Sequence, residues 1–184
     1  MEYSKELFTI TTELDGKNYS GVFKRPSFTT LSVVLPMLSE DKVFDADINF
    51  AKLCFESGDA EMVDFENNIE VFLSYREKLG GLLKVAQLNK FVKEAGVTIV
   101  SVTDMEENKT YTAKFGKPSF DALRNAMSAV DKGKVFSGMF NFASKSFIEG
   151  DKEMVSTAYP HLYMAYYQNL MRVYEFGIST LKKN

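Results

Sequence analysis

The chain is poor in the residues that build most metal and redox sites. Its 184 residues include one cysteine, Cys54, one histidine, His161, and no tryptophan. A single thiol excludes an internal disulfide framework and cysteine-rich zinc sites. A single imidazole excludes the common multi-histidine metal motifs. Positive charge is also scarce, with 22 Lys and Arg against 25 Asp and Glu and a pI near 5.3. Grip on a nucleic-acid backbone needs clustered Lys and Arg, so the charge balance argues against nucleic acid as a partner. No apolar run approaches the roughly 18 residues that would suggest a membrane span. The opening Met1-Glu2-Tyr3-Ser4-Lys5-Glu6 is polar and lacks the apolar stretch of a signal peptide, so a cytoplasmic protein is expected. Apolar residues are plentiful at 45%, which suits a packed core and is too high for a disordered chain.

An internal repeat dominates what is there. Shifted by 92 residues, half the 184-residue length, the two halves align without a gap from about Thr11 to Val63. Tyr19 falls on Tyr111, Phe23 on Phe115, and Pro26-Ser27-Phe28 on Pro118-Ser119-Phe120. Further along, Lys42-Val43-Phe44 falls on Lys134-Val135-Phe136, and Asn49-Phe50-Ala51 on Asn141-Phe142-Ala143. Gly58-Asp59 falls on Gly150-Asp151 and Glu61-Met62-Val63 on Glu153-Met154-Val155. The expected domains are therefore 1–92 and 93–184, joined over Lys90 to Ala95.

Each half opens with two alternating runs. In the first, Asp15-Gly16 separates them, a strong hairpin signal because both turn positions favour positive φ. Pro26 and Pro118 end the second run, and Ser27 and Ser119 are placed to cap a helix over 28–38 and 120–130. Phe44, Ala51 and Phe55, with Phe136, Ala143 and Phe147, mark one face of a second helix over 45–56 and 137–148. A third, longer helix is expected over 66–88 and 160–182, with Pro160 in its first turn. The fold class predicted is α+β, a tandem repeat of a β-hairpin followed by three helices (ββααα twice), mostly helical.

No arrangement of residues suggests nucleophilic catalysis, so no enzyme and no cofactor or metal is expected. Cys54 reads as a small buried residue whose counterpart is Ser146, and His161 as an exposed first-turn residue. Asp59 with Glu61, and Asp151 with Glu153, are spaced to cap a following helix. Asn49 and Asn141 are expected to be buried amides bonded to a loop carbonyl. Gly80-Gly81 would kink the third helix or let it pack closely. That helix in the second half carries two apolar stripes, one of them Tyr159, Tyr163, Tyr166, Leu170 and Val173. A helix apolar on two faces must bury both, so this stripe is the expected partner-binding surface, with coverage by the other repeat as the alternative. Replacing Tyr163 and Tyr166 by Ser would then weaken partner binding and leave folding intact.

The order of these elements resembles a known family. A hairpin ending in Phe23-Lys24-Arg25-Pro26-Ser27, two short helices, a Cys54-Phe55-Glu56-Ser57-Gly58-Asp59 step and a final helix resemble the small tail assembly chaperones of long-tailed bacteriophages. The second half repeats the outline in Phe115-Gly116-Lys117-Pro118-Ser119 and Phe147-Ile148-Glu149-Gly150-Asp151. The resemblance implies a non-enzymatic protein, without cofactor, that binds a tape-measure protein or another tail or portal component in the bacterial host cytoplasm during infection. Homo-oligomer formation is also open. The familiar members carry one unit where this chain carries two, so a permanent ring, adaptor or packaged protein of the virion is the alternative.

Overall fold

The computed structural model describes residues 3–175. The chain divides into two compact units, Met1–Lys84 together with Thr157–Pro160, and Val85–Ser156 together with His161–Asn184. Among the described residues there are six α-helices and seven strands, the strands forming one three-stranded and one four-stranded antiparallel sheet.

In the first unit, β1 (Leu7–Leu14) and β2 (Lys17–Lys24) form a hairpin around Asp15-Gly16, whose φ values of 51° and 76° are those of the favoured two-residue turn. Ser27 caps α1 (Phe28–Ser39), its hydroxyl accepting the Thr30 amide at 3.1 Å. Next, α2 (Val43–Cys54) buries Ala46, Phe50, Ala51 and Cys54. Without a break the chain then enters β3 (Phe55–Gly58), which pairs with β2. A 3-10 turn (Ala60–Met62), α3 (Ile69–Tyr75) and a 3-10 stretch (Arg76–Leu82) complete the unit. Phe23, Leu31, Met62, Phe72 and Tyr75 form a core no more than 1% exposed. The Tyr75 hydroxyl donates to the Met62 carbonyl.

The second unit begins with β4 (Ala86–Glu94), followed by β5 (Val97–Asp104) and β6 (Lys109–Phe115). Its helices are α4 (Phe120–Asp131), capped by Ser119, then α5 (Val135–Ser146) and α6 (Pro160–Glu175). Between α5 and α6 lie β7 (Phe147–Gly150), paired with β6, and a 3-10 turn (Lys152–Val155).

The expected unit of one hairpin and three helices is therefore corrected in three ways. First, a strand follows the second helix in each unit. Nothing in Cys54-Phe55 or Ser146-Phe147 punctuates the helix. The strand is held from a distance, because Asp59 accepts the Ser20 amide at 2.7 Å and Asp151 accepts the Thr112 amide at 2.7 Å. These aspartates bind the sheet, and neither makes a side-chain helix cap. Gly58 and Gly150 close the same contact at φ of 130° and 120°, where an added Cβ would lie 2.4 Å from the Ser20 carbonyl oxygen and 2.3 Å from that of Thr112. Second, the helix expected over 66–88 is α3 alone, with Gly80-Gly81 in the 3-10 stretch that follows. Of the helix expected over 160–182, positions 160–175 are α6, and 176–182 lie outside the described residues.

Third, the expected junction over Lys90–Ala95 is the end of β4 and the turn into β5. Ala95 and Gly96 have φ of 47° and 82°, so this is the same kind of hairpin turn as Asp15-Gly16. Alanine in a left-handed conformation costs roughly 1–2 kcal/mol and gives no sequence cue. A bulge between Leu88 and Lys90 also breaks the alternation along β4.

The 92-residue offset places α1 on α4, α2 on α5 and β3 on β7 with identical bounds. After the 3-10 turns it becomes 91. Tyr166 takes the place of Tyr75: its hydroxyl donates to the Met154 carbonyl at 2.5 Å, and its ring lies 5.7 Å from Phe115, as Tyr75 lies 5.7 Å from Phe23. Leu170 then corresponds to Leu79, and both are buried.

Candidate functional site

The proposed partner-binding stripe is not a surface. Tyr163 and Tyr166 are 0% exposed and Leu170 is 4% exposed. The Tyr163 hydroxyl donates to the Phe136 carbonyl at 2.9 Å, and its ring packs edge-on against Phe136, Phe140 and Tyr166. Burial pushes both phenols well above their ordinary range. Tyr159 is half-buried just before α6, and the side chain of Val173 lies outside the described residues. The second apolar face of α6 is thus consumed by its own unit, whose sheet and helix α5 supply the covering surface.

Other expectations shift in the same direction. Cys54 is buried, as expected, and burial pushes its thiol up to about 12. His161 is only 2% exposed, and its Nε2 lies 3.1 Å from Oδ2 of Asp104, itself 1% exposed. The other Asp104 oxygen accepts the Glu106 and Glu107 amides, so this carboxylate joins the β5–β6 turn to α6. Asn49 donates to the Asp45 carbonyl within its own helix, and Asn141 is exposed, so neither is a buried loop anchor. Among the described residues no cluster of three or more His, Cys, Asp or Glu could hold a metal ion, and no helix is long and apolar enough to cross a membrane.

The described residues of the second unit enclose a cleft of about 730 Å³. That volume falls in the roughly 300–1,000 Å³ range of ligand-binding clefts. Its apolar wall is Phe115 at the end of β6, Leu123 on α4, Phe142 on α5 and Leu170 on α6. Phe120, the first residue of α4, stands at the rim and is 75% exposed. The Ser119 cap fixes that helix start, its hydroxyl accepting the Ala122 amide at 3.2 Å. Ser146 lies in the lining and is 5% exposed, and among the described residues its hydroxyl has no hydrogen-bond partner. Lys93, Lys117 and Thr98 add polar groups. Lys117 is exposed and, among the described residues, makes no ion pair. Chemically, the cleft offers an aromatic and aliphatic surface with cationic groups beside it.

Of the cleft residues, Leu170 alone belongs to the binding stripe expected from sequence. Most of them recur in the repeat, and matched residues carry no sign of whether they are covered. The available signal lay in the mismatches, Arg25 against Lys117 and Cys54 against Ser146. No family model, curated protein or solved structure matches the chain.

Proposed function

We propose that the protein is a non-enzymatic assembly chaperone that covers apolar segments of a larger structural protein, in the manner of the bacteriophage tail assembly chaperones its sequence resembles. The cleft of the second unit carries this reading, with Phe115, Leu123, Phe142 and Leu170 as the apolar lining and Phe120 exposed at the rim. A large exposed aromatic side chain beside an apolar cleft is the usual chemistry of a protein-binding surface. The net charge of −3 helps keep such a protein soluble while it holds an apolar client. The client is an apolar segment of a tape-measure or comparable virion protein, bound in the cytoplasm of the bacterial host. The single thiol and the single imidazole are both buried in the fold, which favours binding over group-transfer chemistry.

Quantitative mass spectrometry of infected-cell lysate and purified particles tests this. Abundance in lysate with absence from particles is expected. A fixed copy number per particle would make the protein a permanent virion component and overturn the chaperone reading.

A further inference from the structure

The internal repeat provides a template for what the cleft binds. Equivalent residues in the first unit are covered. Arg25, Pro26 and Leu31 are buried, whereas Lys117 is exposed and Pro118 and Leu123 are half-exposed. Phe28 is half-buried and Phe120 is exposed.

A 3-10 turn at Tyr3–Lys5, just before β1, lies beside the covered site of the first unit. Tyr3 is 2% exposed, and the Arg25 guanidinium lies 5.6 Å from its ring centre. Glu6, three residues on, pairs with Arg25 at 2.5 Å. Arg25 also donates to the Leu82 carbonyl at 3.3 Å. The first unit thus holds an aromatic residue and a carboxylate from its own leading segment.

In the second unit strand register sets the equivalence. Phe8 pairs with Phe23 and Thr98 with Phe115, an offset of 90, so the residue equivalent to Tyr3 is Lys93, in β4, and the residue equivalent to Glu6 is Gly96, in the β4–β5 turn. The segment that would carry the plug is committed to β4. The cleft keeps its cation, Lys117, but has lost both the aromatic group and the acid.

We propose that the second unit's cleft receives a peptide segment from another protein that carries an aromatic residue with an acidic residue three positions later, the pair that Tyr3 and Glu6 supply to Arg25 in the first unit. The aromatic ring packs at the exposed mouth of the cleft, against Phe120 and Leu123, and the carboxylate pairs with Lys117. Charge favours this occupant over residues 176–184 of the chain itself, which bring Lys182 and Lys183 to a cleft already bearing Lys93 and Lys117. The inference rests on the cleft being the capture site proposed above and specifies the motif it takes.

The test uses the full-length protein and a fluorescein-labelled peptide with the sequence of residues 1–7, Met-Glu-Tyr-Ser-Lys-Glu-Leu, followed by polarisation. Saturable binding is expected, weakened at least tenfold when the peptide tyrosine becomes Ala. Lys117→Glu, an exposed substitution that leaves the core intact, should weaken binding about tenfold. A peptide with Lys in place of its Glu at the sixth position should recover that loss on the Lys117→Glu protein. Absence of saturable binding, or binding indifferent to Lys117→Glu, overturns the motif. A parallel assay follows suppression of aggregation of an apolar tape-measure segment by the wild-type and Leu123→Trp proteins, with circular dichroism as the folding control. Suppression that Leu123→Trp abolishes, without peptide binding, would sink the motif and leave the chaperone reading standing. Peptide binding without suppression would do the reverse.

Discussion

The two units share a plan and differ in where each spends its leading segment. In the first, the residues before β1 form a short turn that brings Tyr3 and Glu6 to Arg25. In the second, the residues before β5 extend into β4 and add a fourth strand to the sheet. One unit gains a partly buried ion pair and a covered site, and the other gains a longer sheet and an open cleft. The edge of β1 that has no strand partner is served differently, by Lys78 donating to the Thr11 carbonyl. Such a lysine discourages edge-to-edge pairing. Duplication thus freed one copy of a site without disturbing the helices and turns around it.

The largest effect should come from the core that α6 completes. Tyr163→Ser removes a fully buried ring and its hydrogen bond, and is expected to cost about 3–5 kcal/mol in a urea melt. An unchanged midpoint would return Tyr163 to the surface and dissolve the distinction drawn here between stripe and cleft. Next comes the paired substitution that separates the units most directly. Arg25→Ala removes a buried guanidinium and its charge-assisted hydrogen bond to Glu6, at a cost of roughly 2 kcal/mol. Lys117→Ala, at the equivalent exposed position, should stay within about 0.5 kcal/mol. Equal costs would mean that the second site is filled after all.

A smaller effect, of opposite sign, is expected at the Cys54 and Ser146 pair. The Ser146 hydroxyl is buried with no hydrogen-bond partner among the described residues, whereas a thiol tolerates such a place. Ser146→Cys should therefore raise stability by about 1 kcal/mol. The smallest contrast is in pH. Burial raises the Cys54 thiol from 9.0 to about 12, so the unfolded chain loses that proton first as pH rises. Its contribution to stability is fully present below about pH 9 and is lost progressively as pH climbs toward 12. Tyr75, Tyr163 and Tyr166, also raised by burial, add to the alkaline loss at higher pH. Cys54→Ala should remove the earliest part of the decline in melts recorded from pH 8 to 11, and an identical profile would contradict a buried thiol.

Much of the fold was legible where a local signal coincides with the final structure. Asp15-Gly16 sets the first hairpin, and Ser27 and Ser119 cap their helices, because turn and cap chemistry act within a few residues. The signals failed where a distant group decides. Phe55–Gly58 becomes a strand because β2 lies beside it and Asp59 accepts the Ser20 amide, 39 residues away. Residues 86–94 become a strand through a turn at Ala95, a residue that advertises none. The amphipathic count on 159–173 detected a second apolar face, but could not tell a partner from the unit's own sheet and α5. In the sequence the cleft leaves its trace in mismatches within the repeat, Arg25 to Lys117 and Cys54 to Ser146 among them.

The sequence by itself determined the duplication, the hairpin turn at Asp15-Gly16, the helix starts at Ser27 and Ser119, and the acidic, cysteine-poor character of the chain. Each of these is written in adjacent residues or in a direct comparison of the halves. Only the tertiary structure decided that the first site is closed and the second open. That outcome depends on whether the chain before β1 or β5 folds as a turn or forms β4, and on which side chains, far apart in sequence, then meet Arg25 but, among the described residues, make no ion pair with Lys117. Matched residues in the two halves are chemically alike, and what covers them is supplied from elsewhere in the chain.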